Sequence, residues 1–175
     1  EFQAYLSLDE PANEPEYDRL QAEAHLRLAQ AAVYLDQPQG EALMLDFVRS
    51  RRPDPWASMA MLELGNYYYN KKDFDKAIEY FGELDNRELS ASQVAEVRFK
   101  EGYSLFVAQE FDRASRKFAE AKEINNEYYY PSNYYYGMTQ YFLENYDAAL
   151  SSFDRVKGYK RYSDQVPYYI SQIYF

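Results

Sequence analysis

The stretch LELGNYYYNKKDFDKAIEYF, Leu62 to Phe81, decides how the rest of the chain is read. It divides into two short amphipathic segments joined by the polar turn Asn70–Asp73. Met61, Leu64 and Tyr68 recur at helical spacing in the first segment; Phe74, Ala77, Ile78 and Phe81 do so in the second. Gly65 and Ala77 are small where bulkier neighbours would collide, so the two helices are expected to cross closely.

The same order returns downstream. The small residue of each first helix falls at Gly65, Gly102, Gly137 and Ser171, at intervals of 37, 35 and 34. The small residue of each second helix falls at Ala77, Ala114 and Ala149, and a phenylalanine follows four residues later at Phe81, Phe118 and Phe153. The turn repeats as Phe74-Asp75, Phe111-Asp112 and Tyr146-Asp147, with each Asp placed where the positive end of a helix favours it. Four aligned features at a fixed period mark helical repeats.

Upstream, Leu20–Leu35 reads as a helix with Leu20, Leu26, Ala29 and Val33 on one face. Pro38 and Gly40 mark a turn. Glu41–Arg52 follows as a partner helix with Leu43, Leu45, Phe47 and Val48, its last turn carrying Arg49, Arg51 and Arg52. Asp54-Pro55 then supplies an N-cap and a first helical proline. Ser90 with Gln93 forms a capping-box pattern for the next first helix. At the start, Phe2, Tyr5 and Leu6 make an apolar stripe, and the acidic, proline-bearing run Asp9–Glu16 reads as a loop. The predicted organisation is a partial helix and linker at 1–18, a degenerate unit at 19–53, and full units at 54–90, 91–129 and 130–163. An unpaired first helix occupies 164–175, where we expect the natural chain to continue with a second helix.

On these residues the chain resembles tetratricopeptide repeat proteins, from about Leu20 to Phe175. The unit around Ala42 departs from the pattern, because its Phe47 lies five residues on. The usual Trp near the start of the first helix is also missing, since Trp56 lies too early. The resemblance implies an all-α fold of antiparallel helix pairs stacked into a right-handed α-solenoid, with first helices lining a concave protein-binding face. The tyrosine-rich segments PSNYYYG and VPYYISQIYF are similar in texture to long repeat proteins of Gram-negative cell envelopes. That implies a periplasmic or envelope location, with the cytoplasm as the alternative.

Composition narrows the function. With no cysteine, disulfides and thiolate chemistry are excluded. A net charge of −10 works against nucleic acid, which is bound by neutralising phosphates, and against anionic membrane surfaces. No run is long and apolar enough for direct membrane insertion. His25 is the sole histidine and sits in a predicted first helix with no nucleophile context around it. Glu120, Glu123 and Glu127 read as a solvated helix face rather than a carboxylate pair for hydrolysis. No phosphate-cradling glycine run and no calcium loop occurs. We therefore expect no enzyme, no catalytic residue, no metal and no cofactor.

What remains is a surface. Mapped onto this register, the concave face that the resemblance implies carries Tyr34, Asn66, Tyr69, Asn70, Tyr103, Phe106, Tyr134, Met138, Tyr141 and Tyr168. Arg27, Glu63 and Lys100 are its charged members. The family clamp for a partner's terminal carboxylate is not matched: Asn66 fits, but Leu62 stands where its lysine would. The expected function is a non-catalytic scaffold binding a protein or peptide on this face. The alternative is a spacer or assembly arm that self-associates through the helix at 164–175.

Overall fold

The computed structural model describes residues 15–85, 87 and 89–175. The stripe of Phe2, Tyr5 and Leu6 lies outside them. Among the described residues the regular elements are α-helices and no strand occurs. The chain divides into two compact units, Glu1–Glu88 and Leu89–Phe175.

The first unit holds α1 (Pro15–Tyr34), α2 (Gly40–Arg51), α3 (Pro55–Asn70) and α4 (Phe74–Gly82). Helix α1 packs on α2, both pack on α3, and α3 packs on α4. Helix α1 begins inside the run read as a loop, because a proline is tolerated in a first turn and Glu16 and Asp18 suit the dipole there. The second unit holds α5 (Ala91–Val107), α6 (Phe111–Ala121), α7 (Tyr129–Phe142), α8 (Tyr146–Val156) and α9 (Val166–Tyr174). Consecutive helices pack on one another, and α5 also meets α7. The expected caps form: the Asp54 side chain accepts from the Trp56 amide, and Ser90 with Gln93 completes a capping box.

Three of the helix pairs, α3–α4, α5–α6 and α7–α8, are each locked by one ring. A Cβ built on Gly65 would lie 2.4 Å from the ring of Phe81. The corresponding distances are 2.9 Å from Gly102 to Phe118 and 2.7 Å from Gly137 to Phe153. All three rings are buried, as are Ala77, Ala114 and Ala149 beside them. The pairs are antiparallel, since Tyr69 meets Phe74 across the turn while Gly65 meets Phe81 further along the same two helices.

The turns share one geometry. Asp36, Lys72, Gln109 and Glu144 take positive φ values of 54°, 62°, 60° and 60°. At each, the residue's own amide bonds three back and the next amide bonds five back: Lys72 N to Tyr69 O, then Asp73 N to Tyr68 O. This is the paired hydrogen-bond pattern that ends a helix through a left-handed residue, here with no glycine.

Three expectations need correction. In the first helix pair the buried face of α2 is Gly40, Met44, Phe47 and Val48, whereas Ala42 and Leu43 are exposed. Gly40 is therefore a helix residue. A Cβ there would lie 2.7 Å from the backbone of Ala32 and Val33, so the missing side chain lets α2 start against α1. Gly40 and Met44 stand 37 residues before Ala77 and Phe81, which restores the repeat interval. Leu20, read as a core-facing residue, is exposed, and Ala22 takes a buried place on α1 instead. Finally, Glu120, Glu123 and Glu127 do not share a helix, because α6 ends at Ala121. Glu120 pairs with Arg98 at 2.6 Å and Glu123 with Arg155 at 2.8 Å.

Candidate interaction surface

The repeated turn brings two aromatic rings together five residues apart in sequence. Around Lys72 it joins Tyr69 to Phe74, with ring centroids 6.0 Å apart. Around Gln109 it joins Phe106 to Phe111 at 5.6 Å. Around Glu144 it joins Tyr141 to Tyr146 at 6.2 Å. In the second unit these pairs fuse. Phe142 stacks on Phe111 at 5.0 Å, lies 5.9 Å from Phe106 and sits 5.7 Å from Tyr141. Tyr141 continues the row to Tyr169 of α9 at 5.5 Å, and Tyr169 to Tyr168 at 5.4 Å. The result is a continuous aromatic edge. Its most open members are Phe142 (47% exposed), Tyr146 (43%) and Tyr168 (60%).

Of the residues expected to line a binding face, Phe106, Tyr141 and Tyr168 belong to this edge. Tyr103 is half-buried between Phe99 and Tyr135, at 6.3 and 5.0 Å. Tyr134 and Met138 are not open: they are 8% and 7% exposed and belong to a core with Phe153, Val156, Tyr162 and Val166. Tyr134 stacks flat on Tyr162 at 4.2 Å, and its hydroxyl donates to Gln165 at 3.2 Å. They are covered because α7 carries neighbours on two sides, and positions 134 and 138 project one turn apart toward α8 and α9.

The first unit contributes Tyr34, Asn66, Tyr69 and Asn70. Tyr34 is 53% exposed, packs edge-on against Tyr67 at 5.6 Å and donates its hydroxyl to Glu63 at 2.8 Å. Burial of part of the ring and the Glu63 carboxylate push its hydroxyl up to about 12. Asn66 and Tyr69 are half-buried and Asn70 is exposed. Of the charged residues expected there, Arg27 pairs with Glu23 at 3.8 Å and Glu63 accepts from Tyr34, while in the second unit Lys100 pairs with Glu96 at 2.5 Å.

Phe111, Phe142 and Tyr146 were not expected as surface members. The sequence pattern places Phe111 and Tyr146 at the turns and at the heads of their second helices, and the five-residue spacing across each turn is the signal that finds them as surface members. Phe142 has no such signal, since its exposure depends on what α5 and α6 leave uncovered.

A cleft of about 320 Å³ in the first unit is lined in part by His25, Asp46 and Ser50. The Ser50 hydroxyl donates to the Phe47 carbonyl at 2.8 Å, and Asp46 pairs with Arg49 at 3.0 Å. Both groups are thus engaged within α2. Among the described residues no group of three or more His, Cys, Asp or Glu is placed to hold a metal ion, and no helix is long and apolar enough to cross a membrane.

Helix pairs crossing at a glycine under a phenylalanine ring, repeated at intervals of 37 and 35 residues, define a tetratricopeptide-like helical repeat fold. A solved structure, that of the tetratricopeptide-like protein MamA (AMB-1), is similar with a TM-score of 0.62 over 91% of this chain and 82% of that one. The two are 20% identical, a level at which the likeness establishes the fold alone. Neither the protein-family models nor the curated proteins compared gave a match.

Proposed function

We propose that the chain is a non-catalytic protein-interaction scaffold and that the aromatic edge of the second unit is its binding surface. The observation that carries this reading is the row from Phe106 to Tyr168, in which rings already held by their neighbours leave open faces at Phe142, Tyr146 and Tyr168. Rings fixed in advance lose little freedom on binding, and aromatic side chains dominate protein recognition. A photo-crosslinking residue at Phe142 should trap one protein partner in the native host, while the same probe at the exposed Asp154 should trap none. Equal capture at both positions would remove the assignment.

A second reading, an assembly arm, draws on α9. Ser171 occupies the glycine position of the crossing, and Tyr174 beside it is 74% exposed. Sedimentation velocity over a concentration series separates the two, since an arm that closes on itself through α9 dimerises and a scaffold with an open edge does not. In either case we place the protein in the cell envelope, an assignment that subcellular fractionation of the host checks directly.

A further inference from the structure

We propose that the segment bound at the aromatic edge is basic: Lys or Arg side chains alternating with apolar ones. The inference rests on the binding surface proposed above and names the chemistry of what that surface takes. The rings of the edge are bracketed by carboxylates. Glu110 precedes Phe111 and Asp112 follows it; Glu144 lies two residues after Phe142, and Asp147 follows Tyr146. All four are exposed. The cation nearest to them in sequence is Arg113, held by Glu110 at 2.5 Å, and among the described residues Asp112, Glu144 and Asp147 form no ion pair. The basic run Lys157, Lys160 and Arg161 follows the far end of α8, about 16 Å along its axis from Tyr146.

Apolar side chains of a partner would lie on Phe142 and Tyr146. Its ammonium or guanidinium groups would reach ring faces and carboxylates together, a pairing that each strengthens for the other. An acidic segment would meet like charge at both turns. A second copy of this chain is disfavoured for the same reason, since its net charge is −10.

The test uses fluorescence anisotropy with the whole chain and two labelled probes: a short peptide of repeating Lys-Phe-Lys-Leu units, and its counterpart with Gln in place of Lys. The Lys probe should bind about tenfold more tightly than the Gln probe at low salt, and the difference should shrink as salt rises. Phe142→Ala with Tyr146→Ala should weaken the Lys probe about tenfold while the variant keeps its helical circular dichroism at the assay temperature. Glu144→Gln with Asp147→Asn should bring the Lys probe down to the Gln probe. Asp154→Asn, an exposed carboxylate away from the turns, should change nothing. Equal affinity for the two probes, with loss on Phe142→Ala, overturns the basic partner and leaves the surface standing. Tighter Lys binding that survives Phe142→Ala with Tyr146→Ala means general attraction to an acidic protein and overturns both. No binding of either probe overturns the basic partner, and a dimer that Phe142→Ala dissociates would then identify a second copy as the occupant.

Discussion

At the scale of single residues the repeat depends on three glycines whose value lies in what they lack. None adopts a positive φ, so their role is space and not backbone freedom. The nearest ring carbon to a Cβ on Gly65 would be 2.4 Å away, inside the contact distance of any real side chain, and Phe81 is 1% exposed with nowhere to move. Gly65→Ala should therefore cost about 1–3 kcal/mol by overpacking, although alanine is the better helix former. Chemical denaturation measures this. A Gly65→Ala variant as stable as the parent would show that the crossing relaxes freely. The companion change Phe81→Ala should cost on the order of 3–5 kcal/mol through the cavity it leaves. The buried Glu101 shows a different economy: at 2% exposed, it is held by Arg98 and Lys117, each at 2.9 Å, so a carboxylate sits in the α5–α6 seam fully paired.

At the scale of elements, the turn is the recurring device. Four turns reverse the chain through a left-handed residue, and in each that residue is Asp, Lys, Gln or Glu. A side chain at such a position costs roughly 1–2 kcal/mol, partly offset by the smaller entropy of its unfolded state. Lys72→Gly should thus leave stability unchanged or raise it by up to about 1 kcal/mol, whereas Lys72→Val should lower it by more than that. Melting curves of the two variants decide it, and a loss with glycine as large as that with valine would mean that Lys72 contributes through its side chain. The same turns set the aromatic pairs Tyr69–Phe74, Phe106–Phe111 and Tyr141–Tyr146, so the device that reverses the chain also builds the proposed surface.

At the scale of the whole molecule, paired carboxylates set how stability depends on pH. Arg51 beside Asp18, Lys71 and the Tyr67 hydroxyl beside Asp36, and Lys122 with Arg155 beside Glu123 hold these carboxyls below their usual range. Arg87 takes Asp85 down to about 2. Burial works to raise Glu41, but Lys76 and the hydroxyls of Tyr80 and Tyr68 outweigh it and the carboxyl ends lowered. A carboxyl whose folded pKa is depressed stabilises the fold above its unfolded value and stops doing so as pH falls through the folded one. The melting temperature should accordingly be flat above about pH 5 and fall steadily between about pH 4.5 and 2. Glu41→Gln should flatten part of that fall, and an acid-independent melting temperature would show these pairs to be energetically silent.

The repeat register, the two N-caps at Asp54 and Ser90, and the positions of the turns were legible in the sequence, because each follows from chemistry a few residues wide. A glycine, an alanine and a phenylalanine at constant intervals leave few alternatives to crossing helices. The first helix pair was misread around Ala42 because Gly40 resembles a turn residue until the backbone of Ala32 is seen against it. Exposure of the aromatics was likewise beyond sequence. Tyr134 and Phe142 both lie on α7 and are similar in bulk, yet one is stacked under Tyr162 and the other stands open on Phe111. Periodicity says that a ring lies on a helix face; only the packing of α8 and α9 over α7 decides which faces water still reaches.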